Sequence, residues 1–361
     1  MPNPSLYRLR DTLHNPNTGD SGPGRETAPD ISVIVIGRNE GLRLQRCLDS
    51  VHGADWNGLV YELIYVDSGS VDDSLERARA AGAVALPAQG ARPSAAAGRN
   101  TGWRAAHADA ILFLDGDTLL DPAFPKLALA ALQRGRYAAV WGHRRELWPG
   151  QSLYTAVLDL DWIYPPGETA YCGGDALFRL DALIESDGFD DSLNAGEEPE
   201  LCRRLRAAGW RILHLDVPMT LHDLAITRFD QYWRRATRAG QAYAQVAARF
   251  RTSADPLWLR EAHRNLLHGA AIVALPAVFA AALATNPAVS VVLAAAALLA
   301  LLRSAARSRW KAGGWRLALL YSAHSHLQKL PILWGQLRYG WLARRGEAPA
   351  LTDYKNLGER S

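Results

Sequence analysis

Residues 111–120 read ILFLDGDTLL, an apolar run that ends directly in Asp115-Gly116-Asp117. Two carboxylates one residue apart disfavour each other's ionisation unless something neutralises them. A divalent cation would do so. An ordinary strand-to-turn junction, for which Asp and Gly are common choices, would give the same letters. The surrounding sequence bears on the choice. ISVIVIG (31–37) and YELIYVD (61–67) read as two further strands, separated by Leu44, Cys47, Leu48 and Val51 at helical spacing. Strands alternating with helices over 31–120 predict an α/β fold with a doubly wound parallel sheet. Each strand ends in polar residues: Arg38-Asn39-Glu40, Asp67-Ser68-Gly69-Ser70 and Asp115-Gly116-Asp117. Ligands of open α/β sheets bind at that carboxyl edge, so these groups are expected on one rim. Ser70 and Asp73 have the spacing of a capping box, opening a helix that stops at Gly82.

The first strand turn, GRNEGLRL (37–44), matches neither GxGxxG nor GxxxxGK[ST]. Phosphates in this cleft would need another counter-charge. Mg²⁺ typically combines one or two carboxylates with substrate phosphates, so Asp115 and Asp117 read as half of a metal site that a diphosphate completes.

A second acidic cluster lies in NAGEEPELCRRLRAAGW (194–210). Pro199 suits the first turn of a helix, Leu201 and Leu205 mark one face, and Gly209 stops it. Glu198 then falls at the N-cap, beside the positive end of the helix dipole, which favours its ionised form. A fixed, deprotonated carboxylate is what a general base requires. A solvated acidic helix start would have the same composition.

SVIVIGRNE (32–40), ELIYVDSGS (62–70), ILFLDGDT (111–118) and GEEPELCRRLRAAGW (196–210), in this order and spacing, resemble the GT-A fold of family 2 glycosyltransferases over residues 29–225. The resemblance implies a Rossmann-like, doubly wound catalytic domain. It also implies inverting sugar transfer from a nucleotide-sugar donor, expected to be a UDP-sugar, with a divalent metal, Mg²⁺ or Mn²⁺. By position, Ile36, Arg38, Asn39 and Glu40, with Asp67 and Ser68, would hold the nucleoside. Arg99 and Asn100, in AAAGRNTGW, match the stretch lining the nucleotide pocket. Asp115 and Asp117 match the family's Asp-x-Asp, whose second Asp contacts the metal. Glu198 matches the catalytic base, normally an Asp in an acidic pair. Here the pair is Glu-Glu, and Glu197 remains a possible substitute. Gly173, Gly174 and Asp175 resemble the acceptor-side loop.

His222, after an apolar pair, would be a third metal ligand, as a late histidine often is in related enzymes; a structural histidine is the alternative. Gln231-Tyr232-Trp233-Arg234-Arg235 resembles the Gln-x-x-Arg-Trp box of processive synthases, but Arg235 replaces the tryptophan and leaves processivity open. Arg234 or Arg235 would reach the diphosphate, or both belong to a basic solvated helix face.

The 361 residues carry a net charge of +3, so bulk electrostatics does not point to nucleic acid. Cys47, Cys172 and Cys202 lack metal-type spacing and fit reduced cytosolic thiols. Residues 1–28 read as a flexible tail ahead of a catalytic domain at 29–227. From Gly269 to Leu302 no residue is charged, and Thr285-Asn286-Pro287 interrupts the run with a turn signal. A transmembrane or re-entrant helical hairpin over 266–303 is expected, an Ala-rich buried helical pair being the alternative. Basic residues flank both ends (Arg260 and Arg264; Arg303, Arg307, Arg309, Lys311 and Arg316), which would place both on the cytoplasmic side of a bacterial inner membrane. Residues 228–265 hold eight arginines against Asp230, Asp255 and Glu261, with interleaved aromatics, and suit amphipathic helices on anionic lipid. Residues 304–361, with Trp315, Trp334, Tyr339 and Trp341, read as a basic interfacial segment.

The sequence thus predicts a metal-dependent glycosyltransferase whose acceptor is a lipid-linked or polymeric glycan in envelope polysaccharide synthesis. Its nearest rival is a polyprenyl-phosphate sugar synthase, whose acceptor is already anionic and needs no base. A sugar-phosphate nucleotidyltransferase would want a glycine-rich basic loop after the first strand. A non-catalytic nucleotide-binding scaffold would be marked by loss of the Asp pair.

Overall fold

The computed structural model describes residues 28–90, 92–193 and 195–347; apart from residue 28 the expected N-terminal tail, together with 348–361, lies outside the described residues. The first half alternates β1 (Ile31–Gly37), α1 (Leu42–His52), β2 (Tyr61–Asp67), α2 (Ser74–Ala80), β3 (Val84–Pro87), α3 (Ala95–Ala105) and β4 (Ala110–Asp115). β1, β2 and β4 are near-continuous apolar runs because helices cover both faces of a parallel sheet. Their order is β3-β2-β1-β4, all parallel, with Gly37 opposite Asp67 and Ile36 opposite Asp115. The winding reverses between β1 and β4, the point at which an open sheet leaves a crevice for a ligand. A hydrogen bond from the Gly116 N–H to the Ile36 carbonyl, 2.8 Å, ties the two strand ends together there.

The second half is mixed. It comprises β5 (Thr118–Leu120), α4 (Phe124–Gln133), β6 (Tyr137–Glu146), α5 (Leu153–Asp159), a 3₁₀ turn at Leu160–Trp162, β7 (Gly167–Glu168), β8 (Ala176–Arg179), α6 (Leu180–Glu185), α7 (Glu197–Ala207) and β9 (Arg211–His222). The sheet continues past β4 as β8-β6-β9-β5, with β8 antiparallel to β4 and β6, β6 parallel to β9, and β5 antiparallel to β9. One buried core runs under both halves; in it Phe113, Phe178 and Phe189 meet edge to face at 5.4–6.0 Å. The anticipated capping box does not form. α2 begins at Ser74 behind Asp73, and the Ser70 hydroxyl instead donates to Asp67 and accepts from the Asn39 N–H. The Asp67 carboxylate also accepts the Gly69 and Ser70 N–H groups, a local loop that outcompetes the helix start.

Among the described residues five helices follow: α8 (Phe229–Arg249), α9 (Leu259–Thr285), α10 (Pro287–Ser308), α11 (Trp315–Leu327) and α12 (Lys329–Arg344). α9 and α10 form a hairpin, with Asn286 capping α10 through the Ala288 N–H and Pro287 in its first turn. Both have a mean hydropathy of 2.1, with only 11% of each apolar window buried, and are long and apolar enough to cross a membrane. α8 and α12 cross backbone to backbone. A Cβ on Gly240 would collide with the Ile332 carbonyl oxygen, and one on Gly335 with that of Thr237.

Candidate active site

A cleft of about 500 Å³ opens at the carboxyl ends of β1 and β4. Asp115 ends β4, and Asp117 follows in the turn to β5. His222 ends β9, where the pairing of Thr118 with His222 brings the imidazole beside Asp117. His222 Nε2 lies 3.2 Å from Asp117 Oδ2, and the ligand atoms of Asp115, Asp117 and His222 all lie within 4.8 Å of one another. Two carboxylates and one imidazole suit Mg²⁺ or Mn²⁺. The donor set therefore fits a divalent cation.

Arg99 on α3, 2% exposed, joins this cluster to the second acidic pair. Its Nη2 is 3.0 Å from Asp115 Oδ1; its Nη1 is 3.1 Å from Glu197 Oε1 and 3.2 Å from Glu198 Oε1. Gly174 is small because a Cβ there would strike the guanidinium and sit 3.2 Å from Glu198 Oε1. Arg144, from β6, places Nη2 3.5 Å from Asp115 Oδ2 and Nη1 3.5 Å from Asp175 Oδ2. Its guanidinium stacks 5.0 Å from the Trp162 ring, which in turn meets the His222 ring edge-on at 5.0 Å.

These contacts set the charges. Burial disfavours the ionised form of Asp115, but Arg99 and Arg144 outweigh it and hold the carboxyl below its usual range. Burial, then the neighbouring Glu197, push Glu198 up to about 7 against the pull of Arg99. Burial also lifts Asp175 to about 6, against Arg144.

Several residues stand where the sequence did not place them. Glu198 is not the N-cap: Gly196, with φ of +89°, occupies that position, and Glu197 and Glu198 open the first turn of α7. A left-handed backbone suits glycine there and brings the acidic pair inward. The helix dipole was expected to keep Glu198 ionised, yet desolvation and Glu197 win. Asp175 is fully buried beneath Asp115, accepting from the Asp115 N–H at 2.9 Å and the Thr220 hydroxyl at 2.8 Å. It supports the floor of the cleft instead of facing an acceptor, and Gly173 lies outside the lining. Asn100, 4% exposed, is turned to the Phe189 backbone, to which it donates at 2.7 Å. Asn39 and Asp67 shape the rim loops and do not line the cleft, whereas Ile36, Arg38, Glu40 and Ser68 do. Arg235 lines it; Arg234 pairs with Asp230.

Arg144, Trp162 and Arg238 also line the cleft and were not anticipated. Alternation along β6 carries the only signal: Arg144 faces the cleft while Arg145 pairs with Asp159 on the other side. Cys172 and Cys202, distant in sequence, lie with sulfurs 3.5 Å apart as buried thiols.

Residues 32–168 match the family described as Glycosyl transferase family 2. A pre-mycofactocin glycosyltransferase of Mycobacterium tuberculosis is 27% identical over 253 residues, covering 66% of this chain and 51% of that protein. A glucosyl-3-phosphoglycerate synthase of the same organism is 33% identical over 126 residues, 33% of this chain and 38% of the relative. The chain thus spans about half the length, or less, of these relatives. Among solved structures, a mannosyltransferase from Pyrobaculum calidifontis in complex with GDP-Man and Mn²⁺ aligns over 93% of both chains, with a TM-score of 0.62 and 22% identity. That likeness establishes the GT-A-type fold.

Proposed function

We propose that this chain, whose residues 32–168 match the Glycosyl transferase family 2 description, transfers a sugar, with inversion, from a nucleoside-diphosphate sugar to an acceptor hydroxyl. The observation that carries this reading is Arg99. It bridges the Asp115–Asp117–His222 cluster and the Glu197–Glu198 pair across one cleft. Donor phosphates and acceptor hydroxyl would then meet within a few ångströms, as in-line transfer requires.

Asp115, Asp117 and His222 would hold the divalent cation, which, when bound, neutralises charge on the departing diphosphate. Arg38, Arg235 and Arg238 line the same cleft and add fixed positive charge where the phosphates lie. Ser68 and Ile36 form the wall at the end of β1 and β2 against which a nucleoside would rest. Glu198 takes the acceptor proton as that oxygen attacks the anomeric carbon from the side opposite the leaving group. Its side chain is 19% exposed, against 8% for Glu197, and its raised pKa lies near the operating range of a general base. Glu197, held deeper on the same guanidinium, tunes it.

The uncharged run 269–302 within the α9–α10 hairpin and its basic flanks support attachment to the cytoplasmic face of a bacterial inner membrane. That placement favours a lipid-linked or polymeric glycan acceptor in envelope polysaccharide synthesis. Purified full chain should gain thermal stability from one of UDP, GDP, dTDP or CMP with Mn²⁺ and lose the gain in EDTA, because a ligand of the folded state raises the melting temperature. No shift with any nucleotide would remove the donor site. Retained turnover in Glu198→Gln would point instead to Glu197 or to an anionic phosphate acceptor.

A further inference from the structure

A second cavity, about 520 Å³, lies further along α8 than the substrate cleft. Arg264 and His268, one turn apart on α9, face it with Lys329 at the start of α12, and Tyr243 of α8 closes it. Lys329 Nζ donates to the neutral Asn265 Oδ1 at 2.8 Å, and His268 shares a 3.0 Å hydrogen bond with His326. Glu261 also lines the cavity, but among the described residues no ion pair within 4.0 Å joins it to Arg264 or Lys329. Two basic side chains therefore face this space with one lining carboxylate at longer range; burial lowers the pKa of the Lys329 ammonium from its ordinary value, and Asp161 opposes that fall.

Depth distinguishes this cavity from an ordinary basic surface. The uncharged run of α9 begins at Gly269, five residues beyond Arg264, or about 7 Å along the helix. The polar layer of a bilayer, outside its ~30 Å hydrocarbon core, is ~5–8 Å deep on each side. With the hairpin inserted, Arg264, His268 and Lys329 stand at the level of lipid phosphates, where basic pockets between helices collect anionic headgroups. α8 also connects the two cavities. Arg235, Arg238 and Ala239 line the substrate cleft, and Tyr243, one turn on, lines this one.

We propose that the cavity between α8, α9 and α12 binds the phosphate of a membrane lipid through Arg264 and Lys329. The proposal rests on the hairpin being membrane-inserted. It deepens the functional reading, since a lipid whose phosphate is held here lies one helical turn from the wall of the substrate cleft. Two sources share this chemistry: the bulk anionic phospholipid and a phosphate-linked lipid acceptor.

The test uses full chain in non-ionic detergent and follows melting temperature against added phosphatidylglycerol, a polyprenyl phosphate, phosphatidylcholine or inorganic phosphate, in wild type and in Arg264→Gln/Lys329→Gln. Each cation near a membrane surface contributes roughly a factor of five, so the double variant should bind about 25-fold more weakly. Equal stabilisation by phosphatidylglycerol and polyprenyl phosphate, lost in the variant, assigns the site to bulk anionic lipid. Stabilisation by polyprenyl phosphate alone assigns it to the acceptor. An equal response to inorganic phosphate, or to phosphatidylcholine, overturns a lipid-phosphate site. So does a variant that responds as wild type does. Arg264→Lys/Lys329→Arg, which keeps both charges, should retain the response if the loss is electrostatic. The nucleotide–Mn²⁺ shift serves as the folding control: it depends on Asp117 and not on Lys329, so either site can fail while the other stands.

Discussion

Replacing Arg99 by Met takes a buried guanidinium out of the middle of three carboxylates. The Glu198 contact is 3.2 Å at its nearest atoms. Unit charges about 4 Å apart at an effective dielectric near 20 attract by about 4 kcal/mol, an upper bound of roughly three pKa units. Glu198 keeps 19% of its side chain in solvent, and Glu197 can take up a proton to relieve the pair, so a rise of about one to two units is expected. From about 7 in the wild type, the base would then titrate at roughly 8 to 9. Its ionised fraction at pH 7 falls from about one half to roughly 1–10%, a rate loss of about 5- to 50-fold that recovers as pH rises. Stability moves in a consistent direction. A carboxyl whose folded pKa is raised binds its proton more tightly when folded; wild-type Glu198 already stands at about 7, so the variant's deficit relative to wild type opens only as pH rises past that value and widens up to the further-raised one. The assay is kcat/KM between pH 6 and 9.5 at saturating Mn²⁺, with Arg99→Lys as the charge-preserving comparison. An equal loss at every pH, with the acid limb unmoved, would refute coupling through Glu198.

Asp117→Asn should abolish the Mn²⁺-dependent part of the nucleotide thermal shift while leaving the apo melting temperature near wild type; a preserved Mn²⁺ response would remove Asp117 from the metal site. Glu198→Gln should keep that shift but lower kcat by about 10²- to 10⁴-fold, read from single-turnover transfer. Gly335→Ala drives a Cβ into the Thr237 carbonyl oxygen and to 3.0 Å from the Gln241 nitrogen. It should cost about 1–3 kcal/mol in detergent unfolding, and an unchanged midpoint would mean that α8 and α12 are free to separate.

The parallel half of the sheet was legible because its strands are short, continuous apolar runs with polar residues at one end. β1 and β2 occupy the expected 31–37 and 61–67, and Asp115 and Asp117 reach the expected rim. Position along a strand is a local property, and local sequence reports it well. The mixed half was less readable. Arg144 enters the cleft only because β6 lies between β8 and β9, and those pairings join residues separated by long stretches of chain. Trp162 comes from a 3₁₀ turn with no periodic signature. Glu198 illustrates another limit. The sequence displays the helix start that favours its anion, but not the burial and the Glu197 charge that oppose it. Asn100 and Asp175 sit in motifs of the right kind, yet the fold uses them to brace Phe189 and Asp115.

The glycine crossing of α8 and α12 has a consequence for reach. α8 carries Arg238 and Ala239 in the wall of the substrate cleft and Gly240, the next residue, in backbone contact with α12. α12 in turn is pressed against Gly269, where the uncharged run of α9 begins. No flexible tether intervenes, so with the hairpin in a bilayer the reacting groups ride at a fixed elevation above the lipid. If the chain transfers sugar as proposed, it would then act as a ruler, selecting acceptors by the height of their hydroxyl as well as by its chemistry. A series of acceptors differing only in spacer length should show a sharp optimum in turnover, and a flat response would mean that the mount bends.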